Sequence, residues 1–308
     1  MKKSLSLIIV IFMIVSTQRA MAWFDQGHMV IASIAWAELS HEEQLKANYL
    51  IKILEDADPD YSDFIRAATW MDGMQQYGMN YFFECHFINQ YYAVYSPDIM
   101  PEYDKYNVVW MINQSVKTLK DPRASEYAMA MALRFLIHTV GDIHQPMHNT
   151  SRVAEDTPNG DRGGNAYPID SIRFGFYNGK PSYITNLHKL WDCGVIFFQA
   201  VNANDTTFSM HKVNHDKEKI MKYIRSLNEK EYALIKCKIC NVTNPAEWAR
   251  ESYKIGVNNS YQGIQENSLP SDEYVKKAQE ICKDQAYIAG KRLAFLLKEV
   301  LKNMDVPD

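Results

Sequence analysis

The chain has 308 residues, 47% of them hydrophobic, and its 33 Lys and Arg against 37 Asp and Glu give a formal net charge of −4. That length can bury a sizeable core in one large domain or two small ones, and the acidic balance excludes a broad basic face for gripping duplex nucleic acid. It leaves room for a small phosphate site whose positive charge is supplied by metal ions.

The first element is a leader. Lys2 and Lys3 precede the apolar run "LSLIIVIFMIV", and Ala20-Met21-Ala22 is the small-x-small pattern that a signal peptidase reads. Residues 1–22 are expected to be removed, leaving residues 23–308 as a soluble, exported chain that starts at Trp23. The leader is too short and wrongly flanked for an anchor, and no later stretch approaches the ~18 apolar residues of a membrane span.

Helical periodicity dominates the rest of the chain. "GHMVIASIAWAELSHEEQLKANYLIKIL" carries apolar residues at three- and four-residue spacing, and Ser40 opens "SHEE", a capping box that starts a second helix. Asp72 follows the apolar run in "ATWMDGM", and His86 lies in "ECHFIN". Each is weak evidence alone, since such an Asp is commonly a helix end and such a His commonly packs in a core. In "ASEYAMAMALRFLIHTVGDIHQPMH", His138 and Asp142 are four residues apart, so both leave one helix face a turn from each other. Pro146 ends or bends that helix and lets His148 swing back toward the same place. His144 falls off that face and reads as structural.

The stretch from about residue 149 to 170, "NTSRVAEDTPNGDRGGNAYPID", is full of turn chemistry and reads as one long irregular loop. It lacks the preceding strand and the Lys of a phosphate-binding loop, so Asp161 and Asn165 read as groups that orient histidines. "ITNLHKLWDCGVIFFQAV" reads as a helix in which His188 and Asp192 repeat the four-residue spacing. The closing stretch "SDEYVKKAQEICKDQAYIAGKRLAFLLKEVLKNM" is a long helix. No repeat or linker divides the chain, so the expectation is a single all-α, mostly helical domain.

Cys85, Cys193, Cys237, Cys240 and Cys282 in an exported chain suggest up to two disulfides with one thiol over, in a pairing the sequence leaves open. Cys237-x-x-Cys240 is compatible with a disulfide loop, a redox motif or half a zinc site; no second pair stands nearby to complete the last.

Two His-x-x-x-Asp pairs on separate helices, with His148 beside one, are what helical bundles use to converge imidazoles and carboxylates on metal ions. The start of the processed chain can join them. A free α-amine and its own carbonyl oxygen form a five-membered chelate, and His28 on the first helix can add an imidazole to the same ion.

These residues resemble the zinc-dependent single-strand nucleases and 3′-nucleotidases, a family with fungal members and plant senescence endonucleases. The resemblance runs over essentially all of residues 23–308: Trp23 with His28, "TWMD", "HFIN", "FLIHTVGDIHQPMH", "DRGGN", "NLHKLWD" and "AGKRLAFLL". It implies a helical domain holding three zinc ions between its helices. By that resemblance Asp72, His86, His138 and Asp142 hold the first ion, and His148, His188 and Asp192 the second. The third belongs to the Trp23 amine and carbonyl, His28 and the other oxygen of Asp142, which thereby bridges two metals. Asp72 and Asp142 would act in catalysis through the bound metals.

The implied activity is hydrolysis of single-stranded DNA and RNA to 5′-phosphorylated nucleotides, together with 3′-mononucleotide dephosphorylation. Hydroxide shared by two zinc ions about 3.5–4 Å apart would attack phosphorus, and the third ion would neutralise the leaving oxygen. No stable protein partner is implied. Two departures stand out: Gln75 replaces the Arg or Lys common three residues after the matched Asp72, and Cys193 replaces an Asn that in fungal members helps hold a nucleobase. Bacterial zinc phospholipases C, acting on phosphatidylcholine-type lipids, are the alternative. They usually end the second pair with Glu and space the first His further from the Trp, so Asp192 and the short step to His28 favour the nuclease. A secreted helical binding protein with purely structural zinc is the third reading, disfavoured by the number of oxygen ligands.

Overall fold

A computed structural model describes residues 23–76, 80–177, 180–198, 210–241 and 244–304. The leader of residues 1–22 lies outside the described residues, as does the side chain of Gln75.

The chain begins with α1 (Asp25–Trp36) and α2 (His41–Lys52), followed by the short α3 (Phe64–Ala67) and α4 (Trp70–Gln76). The expected capping box separates the first two: Ser40 Oγ accepts from the Glu43 amide, and the Glu43 carboxylate accepts from the Ser40 amide at 2.7 Å. After a 3-10 turn ending at His86 come the strand β1 (Gln90–Ala93), α5 (Val108–Lys120) and α6 (Glu126–Asp142). Ser125 caps α6, and every residue of that helix from Ala132 to Asp142 is buried, so α6 is the central rod of the domain. α1, α2 and α5 pack around it.

Further on lie β2 (Thr150–Val153), β3 (Pro168–Tyr177), β4 (Lys180–Asn186) and α7 (Leu187–Asp192). α8 (Met210–Ser226), α9 (Glu229–Asn241), α10 (Pro245–Ile255) and α11 (Asp272–Leu301) complete the fold. The 30-residue α11, capped by Ser271, crosses α1 closely. A β-carbon on Gly290 would stand 2.6 Å from an Ile34 methyl and 3.1 Å from the Ile31 carbonyl, so the two helices approach through a hydrogen. Among the described residues no helix is long and apolar enough to cross a membrane.

The mostly helical single domain expected from periodicity is what the structure shows, with three differences. First, the region read as one irregular loop contributes β2, which pairs in parallel with β1, and runs into the antiparallel hairpin β3–β4. Second, among its described residues the stretch read as a helix over residues 184–201 holds only the six helical residues of α7. Ile184 belongs to β4, and after Asp192 the backbone turns left-handed at Gly194, Val195 and Ile196, with φ 60°, 52° and 69°. Two β-branched residues in that region are strained. Tertiary structure holds them there, through Val195 N to Leu190 O at 2.8 Å, Phe198 N to Cys193 O at 3.0 Å, and a buried Phe198 edge-on to Trp23 at 5.6 Å.

Third, the expected disulfides are not formed: none joins any of the five cysteines. Cys85, Cys193 and Cys282 are buried, whereas Cys237 and Cys240 lie on the exposed side of the unbroken helix α9.

Candidate metal centre

The C-terminal turn of α6 puts His138 and Asp142 side by side, Nε2 to Oδ2 at 3.2 Å. The opposite carboxylate oxygen of Asp142 faces another helix: His28 of α1 brings its Nε2 to 3.2 Å from Oδ1. The rings of His28 and His138 stack with centroids 4.0 Å apart. From the 3-10 turn, His86 places Nδ1 3.1 Å from Asp142 Oδ2 and 3.0 Å from His138 Nε2. Asp72 of α4 closes this group, its Oδ1 3.7 Å from His86 and 3.8 Å from His138.

A second group forms where the chain leaves α6. Gln145, Pro146 and Met147 lead through a 3-10 turn to His148, held by Asn149 donating to the carbonyls of Ile143 and Gln145, both at 2.9 Å. Across from it, Asn186 caps α7 and sets His188 and Asp192 on one face. His148 Nε2 lies 3.6 Å from Asp192 Oδ1 and His188 Nε2 3.5 Å from Asp192 Oδ2, with the two rings stacked at 4.9 Å. Three sets of donors result, the ligand atoms of each lying within 4.8 Å of one another: His28, His138 and Asp142; Asp72, His86 and His138; His148, His188 and Asp192. All of these residues are buried.

The far nitrogens of three imidazoles are pinned to main-chain carbonyls. His138 Nδ1 donates to Ala68 O at 2.7 Å, His148 Nδ1 to His86 O at 2.9 Å and His188 Nδ1 to Gly163 O at 2.7 Å. A carbonyl only accepts, so each Nδ1 carries a proton and each Nε2 turns inward, the arrangement that orients histidine ligands.

Gly163 itself sits at φ 64°, where a β-carbon would come within 2.3 Å of Met147 O. Asp161 braces that loop by accepting from the amides of Arg152 and Gly164, both at 3.0 Å, and from the Tyr261 hydroxyl at 2.7 Å. It touches no imidazole, and its link to His188 runs through the Gly163 carbonyl. Asn165 donates to Arg162 O at 2.9 Å within the same loop.

Trp23 is fully buried and donates its indole N–H to Gly141 O at 2.9 Å, while the Phe24 amide donates to Asp192 O at 2.9 Å. The segment at Trp23 is thereby stitched between the two helices that carry the His-x-x-x-Asp pairs. His144 is buried elsewhere, its Nδ1 donating to Val140 O and its Nε2 accepting from Arg292 at 2.9 Å. Cys193 is fully buried in the core with its thiol on Leu190 O.

The electrostatics are those of a site built for cations. Burial holds His28 down to about 3 and His86 to about 4, so both are neutral lone-pair donors at ordinary pH. Burial pushes Asp72 up to about 7. Burial opposes charge on His138 and His148, yet the carboxylates of Asp142 and Asp72 around the first, and of Asp192 and Asp142 around the second, lift each to about 9. Buried atoms without a hydrogen-bond partner cluster here: both oxygens of Asp72, both nitrogens of His28, Asp142 Oδ1, Asp192 Oδ2 and the Nε2 atoms of His148 and His188. Unmet buried polar atoms are costly. Metal coordination would satisfy these donors together.

A family model described as S1/P1 Nuclease matches residues 23–302. The chain belongs to the S1/P1 nuclease family. It is similar to Endonuclease 1 of Arabidopsis thaliana, 25% identical over 97% of this chain and 93% of that protein, and to Endonuclease 2 of the same plant, 24% identical over 96% of each. It is also similar to Nuclease S1 of Aspergillus oryzae, 27% identical over 57% of this chain and 55% of that protein. This S1/P1 nuclease is accordingly a hydrolase, and between the two enzymatic readings of the sequence the match favours the nuclease over the phospholipase.

One residue beside the S1/P1 nuclease centre escaped the sequence reading. Asp25, in the first turn of α1, is half-buried, and burial pushes its carboxyl up to about 6 against the opposing charge of His138. Its signal was present: it stands three residues before His28, one helical turn along the same face.

Proposed function

We propose that this S1/P1 nuclease is an exported phosphodiesterase that uses three zinc ions to cleave single-stranded DNA and RNA to 5′-phosphorylated nucleotides and to remove 3′-phosphates from mononucleotides. The observation that carries this reading is the carboxylate of Asp142, whose two oxygens face different donor sets, Oδ1 toward His28 and Oδ2 toward His86 and His138. Among protein side chains, a carboxylate is suited to serve two ions at once.

On this reading Asp72, His86, His138 and Asp142 hold one ion; His148, His188 and Asp192 hold a second; Trp23, through its free amine and carbonyl, holds the third with His28 and Asp142. The mixed nitrogen and oxygen donor set suits zinc. Bound zinc lowers the pKa of water to near 7 and stabilises charge on a phosphoryl group.

The chain's own residues do the rest. Ala68, His86 and Gly163 supply the carbonyls that fix the inward nitrogens. Gln145 holds Asp192, and the Asp161-braced loop keeps His188 in place. Burial of the donors keeps the local dielectric low, which would strengthen the pull of bound ions on a phosphate despite the acidic chain. A recessed centre favours strands flexible enough to bring a phosphodiester to it, hence single strands over a stiff duplex.

The test uses protein starting at Trp23, loaded with zinc and offered single-stranded oligonucleotide, 3′-mononucleotide and dispersed phosphatidylcholine in parallel, with and without chelator. Chelator-sensitive release of 5′-phosphorylated nucleotides is expected. Release of phosphocholine with intact oligonucleotide would overturn the proposal.

A further inference from the structure

The closing motif "AGKRLAFLL" holds no metal donor, yet its arginine is buried deep in the fold. Arg292 of α11 uses its guanidinium four ways. Nη1 donates to His144 Nε2 at 2.9 Å, Nη2 donates to Glu251 Oε2 at 2.8 Å and to Lys238 O at 3.0 Å, and the guanidinium carbon lies 5.1 Å from the centre of the Trp248 ring. His144 is free to accept because its Nδ1 proton is committed to Val140 O at 2.7 Å. Two further side chains grip the main chain of the same segment. Gln285, two turns earlier on α11, donates to His144 O at 3.0 Å, and the Ser252 hydroxyl of α10 donates to Ile143 O at 2.7 Å. Burying a guanidinium returns little net stability even when it is paired, so these contacts account better for a fixed geometry than for added stability.

The gripped segment joins two donor groups. Asp142 comes just before it; Gln145, which holds Asp192, and then His148 come just after. Asp142 still belongs to α6, whose own hydrogen bonds fix it, whereas Gln145 and His148 lie beyond the helix and depend on how the chain leaves it. We propose that Arg292 is a positioning residue of the metal centre: through His144 it sets the path by which the chain leaves α6, and with it the placing of His148 and Asp192. This rests on the metal reading above. The competing explanation is that Arg292 only ties α9 and α10 to α11.

The deciding measurement is zinc affinity by equilibrium dialysis against zinc buffers, with the visible spectrum of Co²⁺-substituted protein and the ion-free melting temperature. It compares the chain starting at Trp23 with Arg292→Lys, His144→Leu, the two combined, and Glu251→Gln. Arg292→Lys keeps the charge beside Glu251 but gives up the planar fork that reaches His144 and Lys238 O together. In Arg292→Lys and in His144→Leu one ion, the same that is lost in His188→Ala, should bind about tenfold more weakly, with altered Co²⁺ bands. The combined variant should be no weaker than His144→Leu alone, since the arginine acts through that ring. Glu251→Gln, which cuts the tie to α10, should lower the melting temperature and leave zinc affinity within about twofold. Unchanged zinc affinity in Arg292→Lys and His144→Leu would overturn the role of Arg292, whatever their melting temperatures. Additive losses in the combined variant would overturn the route through His144, and a loss in Glu251→Gln as large as in Arg292→Lys would assign Arg292 to helix packing. If Arg292→Lys does not fold, His144→Leu alone decides. An unaltered chain that takes up no zinc would overturn the metal reading and this role with it.

Discussion

His148 donates its Nδ1 hydrogen to the main-chain carbonyl of His86 at 2.9 Å, so an imidazole of one donor group is anchored on the backbone of another. The two groups are mechanically one unit, and damage to either should be felt by both. His86→Ala leaves that carbonyl in place but loosens the turn bearing it. Weaker binding of two ions is the expected result, read by zinc content at fixed free zinc.

Asp142→Asn removes the charge that faces both donor sets. Bound zinc should fall by more than one ion per chain, and nuclease activity by about 100-fold or more, the upper range for disrupting a metal environment. Loss of activity with full metal content would contradict the bridging role.

Gly163 holds its carbonyl on His188 from a left-handed conformation, with Met147 O in the space a side chain needs. Gly163→Ala should cost roughly 1–3 kcal/mol, the scale of such backbone strain, measured by denaturant unfolding. The ion at His148, His188 and Asp192 should be the one weakened.

Zinc binding should release protons. In the ion-free protein His138 and His148 are held up to about 9, so at neutral pH both carry charge that an ion must displace. Affinity should therefore rise with pH through neutrality, level off above about 9 and fall away in acid. Calorimetric titration in two buffers of different ionisation enthalpy gives the number of protons released.

In protein prepared to start at Trp23, adding one residue before it converts its amine to an amide. The third ion should be lost while Trp23 keeps its indole bond to Gly141 and the fold stays intact, read by zinc content and circular dichroism.

The donor residues were legible because their chemistry follows helical arithmetic: His138 with Asp142 and His188 with Asp192 declare a shared face by spacing alone. α1, α2, α6 and α11 were legible for the same reason, helped at α2 by the capping box at Ser40. The hairpin was missed although Ile172, Phe174 and Phe176 alternate, because surrounding turn residues outweighed a short period-two signal. The early end of α7 was not legible at all. Val195 and Ile196 disfavour positive φ, and what holds them there includes the burial of Phe198 against Trp23, far away in sequence. The signal of Asp25 in the sequence is weak, because a carboxylate opening a helix has an ordinary explanation in the helix dipole.

The five cysteines form no disulfide, yet the donor sets draw together segments from His28 to Asp192. Ions seated there would close loops, the longest of them from His28 to His138, restricting the unfolded chain as covalent cross-links do. The staples of this molecule are then coordinate bonds. Its resistance to heat and proteolysis should track free zinc in its surroundings and ignore thiol reductants, so that chelation, rather than reduction, marks the end of its working life.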